Sequence, residues 1–129
     1  MEGNAKVQEY LALSGRYLQG AETLFREENF EPAMFDAIHA TELAIKAALY
    51  TVSDEDIGTH RVASLFGKHF RDAAGPEFCR EITRCLELYN FPRYPATEPP
   101  GKEMVAGIIA TARKLVHEVA PAIIKMKTA

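Results

Sequence analysis

Apolar residues recur along most of the chain at steps of three and four, the spacing of helices that bury one face. In residues 5–28, "AKVQEYLALSGRYLQGAETLFREE", Val7, Tyr10, Leu11, Tyr17, Leu18, Ala21, Leu24 and Phe25 share a face. This predicts a long amphipathic helix, slightly weakened by Gly15 and Gly20. "ENFEP" breaks it, and Pro32 suits the first turn of a second helix over about 32–52. The polar loop "SDEDIGT" (53–59) ends on Thr59, an N-cap candidate. A short third helix, "HRVASLFGKHF", points Val62, Leu65, Phe66, His69 and Phe70 inward. Pro76 opens a fourth helix, in which Phe78, Ile82, Cys85, Leu86 and Tyr89 repeat at helical spacing. The stretch "NFPRYPATEPPG" (90–101) holds four prolines, and no helix continues through it. The last helix is predicted over about 102–125, with Met104, Ile108, Leu115, Val119 and Ile123 inward and Pro121 loosening its final turns. No segment alternates as a strand would. The pattern predicts an all-α fold: an antiparallel bundle of four long helices, with a short helix in the middle connection, in one domain spanning residues 1–129.

The second helix carries an anomaly. Phe35, Ile38, Ile45 and Leu49 form an apolar stripe, yet the position that completes it is Glu42, with His39 and Lys46 beside it. At 100° per residue these three lie within about 60° of one another, and Asp36 lies about 60° beyond His39. The rest of the helix is apolar and rich in alanine, which marks the central helix of its domain. Its polar sector is therefore expected to face water, a cleft or a second subunit. Glu42 and Lys46 are an i,i+4 pair in the favoured order, which on an open surface contributes about 0.3–0.5 kcal/mol.

Composition narrows the function classes. The chain has 129 residues, 47% hydrophobic, enough for a real core. Its net charge of −3 gives no electrostatic footprint for general nucleic-acid binding. No run approaches the roughly 18 apolar residues of a membrane span, and no charged-then-apolar leader opens the sequence, so a cytoplasmic location is expected. Cys79 and Cys85 stand six apart on a helix, which turns their thiols about 120° from each other and argues against a disulfide. No HExxH, phosphate loop, GxSxG or CxxC occurs, so no residue is marked as a nucleophile or metal ligand, and no cofactor is expected.

The segments "NFEPAMFDAIHATELAIKAALY", "THRVASLFGKHF" and "YNFPRYP" together resemble the HEPN domain family of small prokaryotic helical proteins. Phe35, Ala37, Ala40, Glu42, Lys46 and Ala47 match the family pattern in the second helix. The Thr59–His60 pair matches the opening of the next helix, and Arg93-Tyr94-Pro95 matches the loop of one branch. The resemblance covers about residues 5–120. It implies a bundle of four or five helices that commonly dimerises. It also implies one of two kinds of function. Some members resemble metal-independent ribonucleases, cutting RNA with an arginine and a histidine that have four to six residues between them. Others pair with a small nucleotidyltransferase, as toxin and antitoxin or as a substrate-binding subunit.

The ribonuclease spacing is missing. Beyond Arg93 the candidate positions are Glu98, Pro99 and Pro100, and beyond Arg84 they are Tyr89, Asn90 and Phe91. Arg113 and His117 have only three residues between them and read as a solvated face. The general acid–base histidine is unaccounted for. The expectation is thus a non-catalytic, homodimeric protein that binds a nucleotide or nucleotide-bearing substrate for a minimal nucleotidyltransferase. His39, Glu42, Lys46, His60, Arg93 and Tyr94 are the ligand-binding candidates. A divergent ribonuclease using His39 or His60, and a purely structural dimerisation module, are the alternatives.

Overall fold

The computed structural model describes residues 2–58, 61–88 and 99–128. Helix α1 (Glu2–Arg26) and helix α2 (Phe30–Leu49) form an antiparallel hairpin along their whole length. The turn between them is a Schellman motif. Glu28 adopts the left-handed conformation (φ 62°), its N–H donates to the Phe25 carbonyl, and the Asn29 N–H donates to the Leu24 carbonyl. Helix α2 starts two residues earlier than its proline alone indicates, and Pro32 still lies in the first turn, where its missing N–H leaves no bond unmade.

Helix α3 (Val62–Ala74) and helix α4 (Pro76–Glu87) form a second hairpin around Gly75, whose φ of 92° an L side chain rarely adopts. Helix α3 outlasts its expected end near Phe70 by four residues, with a kink at Phe70 (φ −130°, ψ 15°). Helix α5 (Lys102–Lys114) passes through a π-turn (Leu115–Val119) into helix α6 (Ala120–Thr128). In that turn the Ala120 N–H reaches back five residues to Leu115, just before Pro121. Proline cannot donate to the His117 carbonyl and its ring crowds it, so the widened turn accommodates the loosening expected there.

Helix α2 is the central element and contacts every other helix. Alanines 33, 37, 40, 44, 47 and 48 are all buried on it and let its neighbours come close. Around them Leu18, Met34, Ile38, Ile45, Phe66 and Phe70 are sealed to under 2% exposure. Each such side chain stabilises the fold by roughly 1.5–3 kcal/mol relative to leaving it in water. The described residues are helical apart from turns and loops, with no strand, so the all-α bundle is as the pattern predicts. Two inward assignments need correction. His69 is exposed, its ring only flanking Phe70, and Met104 is 38% exposed at the start of α5. Tyr89 and the expected N-cap Thr59 lie outside the described residues. Cys79 and Cys85 are both free thiols.

Candidate functional site

The polar stripe of α2 faces α1. Asp36 lies over Gly20, where an added Cβ would sit 3.2 Å from the carboxylate Oδ2. One turn on, the His39 ring meets the edge of Tyr17 with centroids 4.4 Å apart. At the far end of the hairpin Tyr10 and Tyr50 pack at 5.1 Å. These pairs fix an antiparallel register in which small or aromatic positions of α1 accommodate the charged side chains of α2. The expectation that this sector opens to water, a cleft or a second subunit therefore holds only in part. Its middle is covered by the chain's own first helix.

Glu42 is the centre of the stripe and is 4% exposed. Lys46 Nζ stands 3.0 Å from its Oε2, and His39 Nδ1 stands 3.8 Å from its Oε1. The Lys46 side chain retains 17% exposure, and that of His39 39%. The carboxylate is thus a fixed, shielded acceptor between a cation and an imidazole that both reach the surface. Shielding weakens water's competition, so this pair is stronger than its open-surface equivalent and more costly to break. Asp36, further along, has its carboxyl pushed above the usual carboxylate range by burial, with the nearby His39 acting in the opposite sense.

Beyond Lys46 the hairpin opens into a groove of about 630 Å³. Lys6, Glu9, Tyr10 and Leu13 of α1 line it with Leu43 and Lys46 of α2. Its volume falls in the range of small-molecule sites, roughly 300–1,000 Å³. Lys6 is tied to the rim: its ammonium lies 4.1 Å from the centroid of the Tyr50 ring and 3.3 Å from Asp56 Oδ1. Burial, together with Tyr10, raises the Tyr50 hydroxyl above the ordinary tyrosine value, with the Lys6 ammonium acting in the opposite sense. The groove therefore presents two lysines, a carboxylate and an aromatic face, a set suited to an anionic ligand with a flat ring.

Of the six candidate residues, His39, Glu42 and Lys46 come together, and Lys46 reaches the groove. His60, Arg93 and Tyr94 lie outside the described residues. Lys6, Glu9 and Tyr10 escaped the sequence reading. Tyr10 was assigned to the buried face, and only the α1–α2 register shows that this face ends in a groove. Arg113 is engaged elsewhere: its Nε and Nη2 donate to Glu22 Oε2 at 3.0 and 2.6 Å, tying α5 to α1. His117 is exposed in the π-turn. Among the described residues no group of three His, Cys, Asp or Glu side chains could hold a metal ion. No described helix is long and apolar enough to cross a membrane.

Comparison with curated proteins finds no match. A profile of the HEPN domain matches residues 7–122, from the first turns of α1 into α6. With a helical bundle built on the Glu42–Lys46 helix and a family match over most of its length, the chain belongs to the HEPN domain family.

Proposed function

We propose that the protein is a non-catalytic binding subunit that holds a nucleotide, or a nucleotide-bearing substrate, for a minimal nucleotidyltransferase partner, as in a toxin–antitoxin pair. The observation that carries this reading is the groove ending on Lys46, whose ammonium is fixed by the shielded Glu42. Lys46 and Arg93 neutralise phosphate. Tyr94 or Tyr10 stacks on the base. Glu42 positions Lys46; at 4% exposure it is too enclosed to serve as the ribose acceptor.

The binding experiment must respect that burial, because removing Lys46 alone takes the cation from a shielded carboxylate. The suitable variant is Lys46→Met with Glu42→Gln and Arg93→Ala, assayed for AMP affinity by calorimetry beside a thermal melt. Loss of binding with the cooperative melt retained supports the assignment. Unchanged affinity removes it. Co-purification with a stoichiometric nucleotidyltransferase from the source cells tests the partner.

The ribonuclease alternative gains nothing from Arg113, which is committed to Glu22. Its remaining form uses His39 or His60 and requires metal-free cleavage of unstructured RNA that either His→Ala change abolishes. The dimer-seam alternative placed Glu42 beneath a second subunit. Glu42 is already enclosed within one chain, so a seam over this sector would rest on His39 and Lys46, which reach the surface.

A further inference from the structure

We propose a second ligand site, for a short chain of linked phosphates, in the groove between α3 and α4. The groove has a volume of about 390 Å³ and shares no lining residue with the one beside Lys46. Every charged residue that lines it is a cation: Lys68 and Arg71 from α3, and Arg80 from α4. None of the three forms an ion pair among the described residues. In a chain of net charge −3, three cations sharing one concavity without a lining acid is a local reversal of the overall balance. A concavity lined by one sign of charge favours an anion from solution.

The two helices present these groups in register. Lys68 and Arg71 are i,i+3 neighbours and lie on one face of α3, with Ser64 a turn earlier. Arg80 projects from α4 beside Cys79, and the Arg71 guanidinium acts on the Cys79 thiol across the groove, partly offsetting the upward push of burial. Small residues, Ala63 and Gly67 among them, complete the lining.

Gly67 lies in the interior of α3 and lines the groove. A Cβ built there meets nothing within 4 Å, as at Gly15 in α1 and Gly107 in α5, so a larger side chain at Gly67 would stand in open space. Guanidinium and ammonium groups lining one groove suit linked phosphates, whose oxygens accept several charge-assisted hydrogen bonds at once.

The test is a titration of the full chain with sodium tripolyphosphate at low salt, followed by two-dimensional amide NMR. Saturable shifts confined to Ser64, Gly67, Lys68, Arg71, Cys79 and Arg80 are expected. Arg71→Glu should weaken binding by at least about tenfold, the effect of losing one charge-assisted contact and adding a repulsive charge. Gly67→Leu should obstruct the groove while leaving the cations in place, which keeps the proposal testable if the charge reversal perturbs folding. Lys125→Glu, the same charge change on exposed α6, should have no effect. A second titration with ATP separates the sources: equal affinity means that the site reads a free phosphate chain, and tighter binding means a nucleotide-borne one. Absence of saturation overturns the proposal, as does equal weakening by Lys125→Glu and Arg71→Glu. The triple variant at Lys46, Glu42 and Arg93 should retain these shifts, so the two sites fail separately.

Discussion

Lys46 Nζ lies 3.0 Å from Glu42 Oε2, one turn apart on the central helix, with the carboxylate side chain only 6% exposed. A pair so enclosed is asymmetric in its energetics. Lys46→Met leaves a shielded carboxylate without its cation and should destabilise the fold by about 3 kcal/mol. Glu42→Gln together with Lys46→Met removes both charges and should recover most of that loss. Urea melts of the two variants decide the point. Equal stabilities would mean that the pair behaves as an open-surface one.

Asp36 over Gly20 predicts a pH effect. Burial raises the Asp36 carboxyl, so the folded chain holds that proton more tightly than the unfolded one. The contribution is fully present below the unfolded carboxylate range, about pH 4, and is lost as pH rises through the higher folded value. Asp36→Asn should therefore raise the melting temperature at neutral pH and flatten its fall between about pH 4 and 7. Melts across that range check the sign.

The same contact makes Gly20 conditional. Alanine is favoured over glycine in a helix interior by about 1 kcal/mol, but its Cβ would crowd the Asp36 oxygen. Gly20→Ala should gain little alone and nearly the full amount beside Asp36→Ala. A double-mutant cycle measures the coupling, and strict additivity would show that the helices yield without strain.

Glu28 holds the left-handed position that closes α1. Glycine adopts that conformation without the Cβ clash, so Glu28→Gly should stabilise the hairpin by about 1 kcal/mol, roughly a 4 °C rise in Tm. A lower Tm would mean that the Glu28 side chain contributes more than its backbone strain removes.

Arg113 and Glu22 provide the contrast to the buried pair. Their side chains are 51% and 28% exposed, so Arg113→Ala should remove no more than about 1 kcal/mol and lose most of that effect in high salt.

The helices were legible because their signal is local. Apolar periodicity, Pro32, Pro76 and the proline run at 92–100 placed every element, and the boundaries slipped where the determinants were not side-chain patterns. The α1–α2 turn depends on a left-handed glutamate, which has no sequence signature comparable to glycine. His69 and Met104 match an inward spacing, but His69 stands beside the Phe70 kink and Met104 in the first turn of α5, where helical spacing no longer fixes the inward face. Around the site, the grouping of His39, Glu42 and Lys46 followed from helical geometry alone. What covers them did not, because it depends on the register of α1 against α2. That register places Gly20 and Tyr17 over the stripe and leaves Tyr10 and Lys6 to form the groove.

The most direct test of the binding-subunit reading is an amide NMR titration of the intact protein with AMP, which carries a base and a single phosphate. Saturable shifts at Lys6, Glu9, Tyr10, Leu43 and Lys46, absent from the Lys46→Met, Glu42→Gln, Arg93→Ala variant, are the predicted result. A spectrum that does not change, or changes only away from the α1–α2 groove, contradicts it.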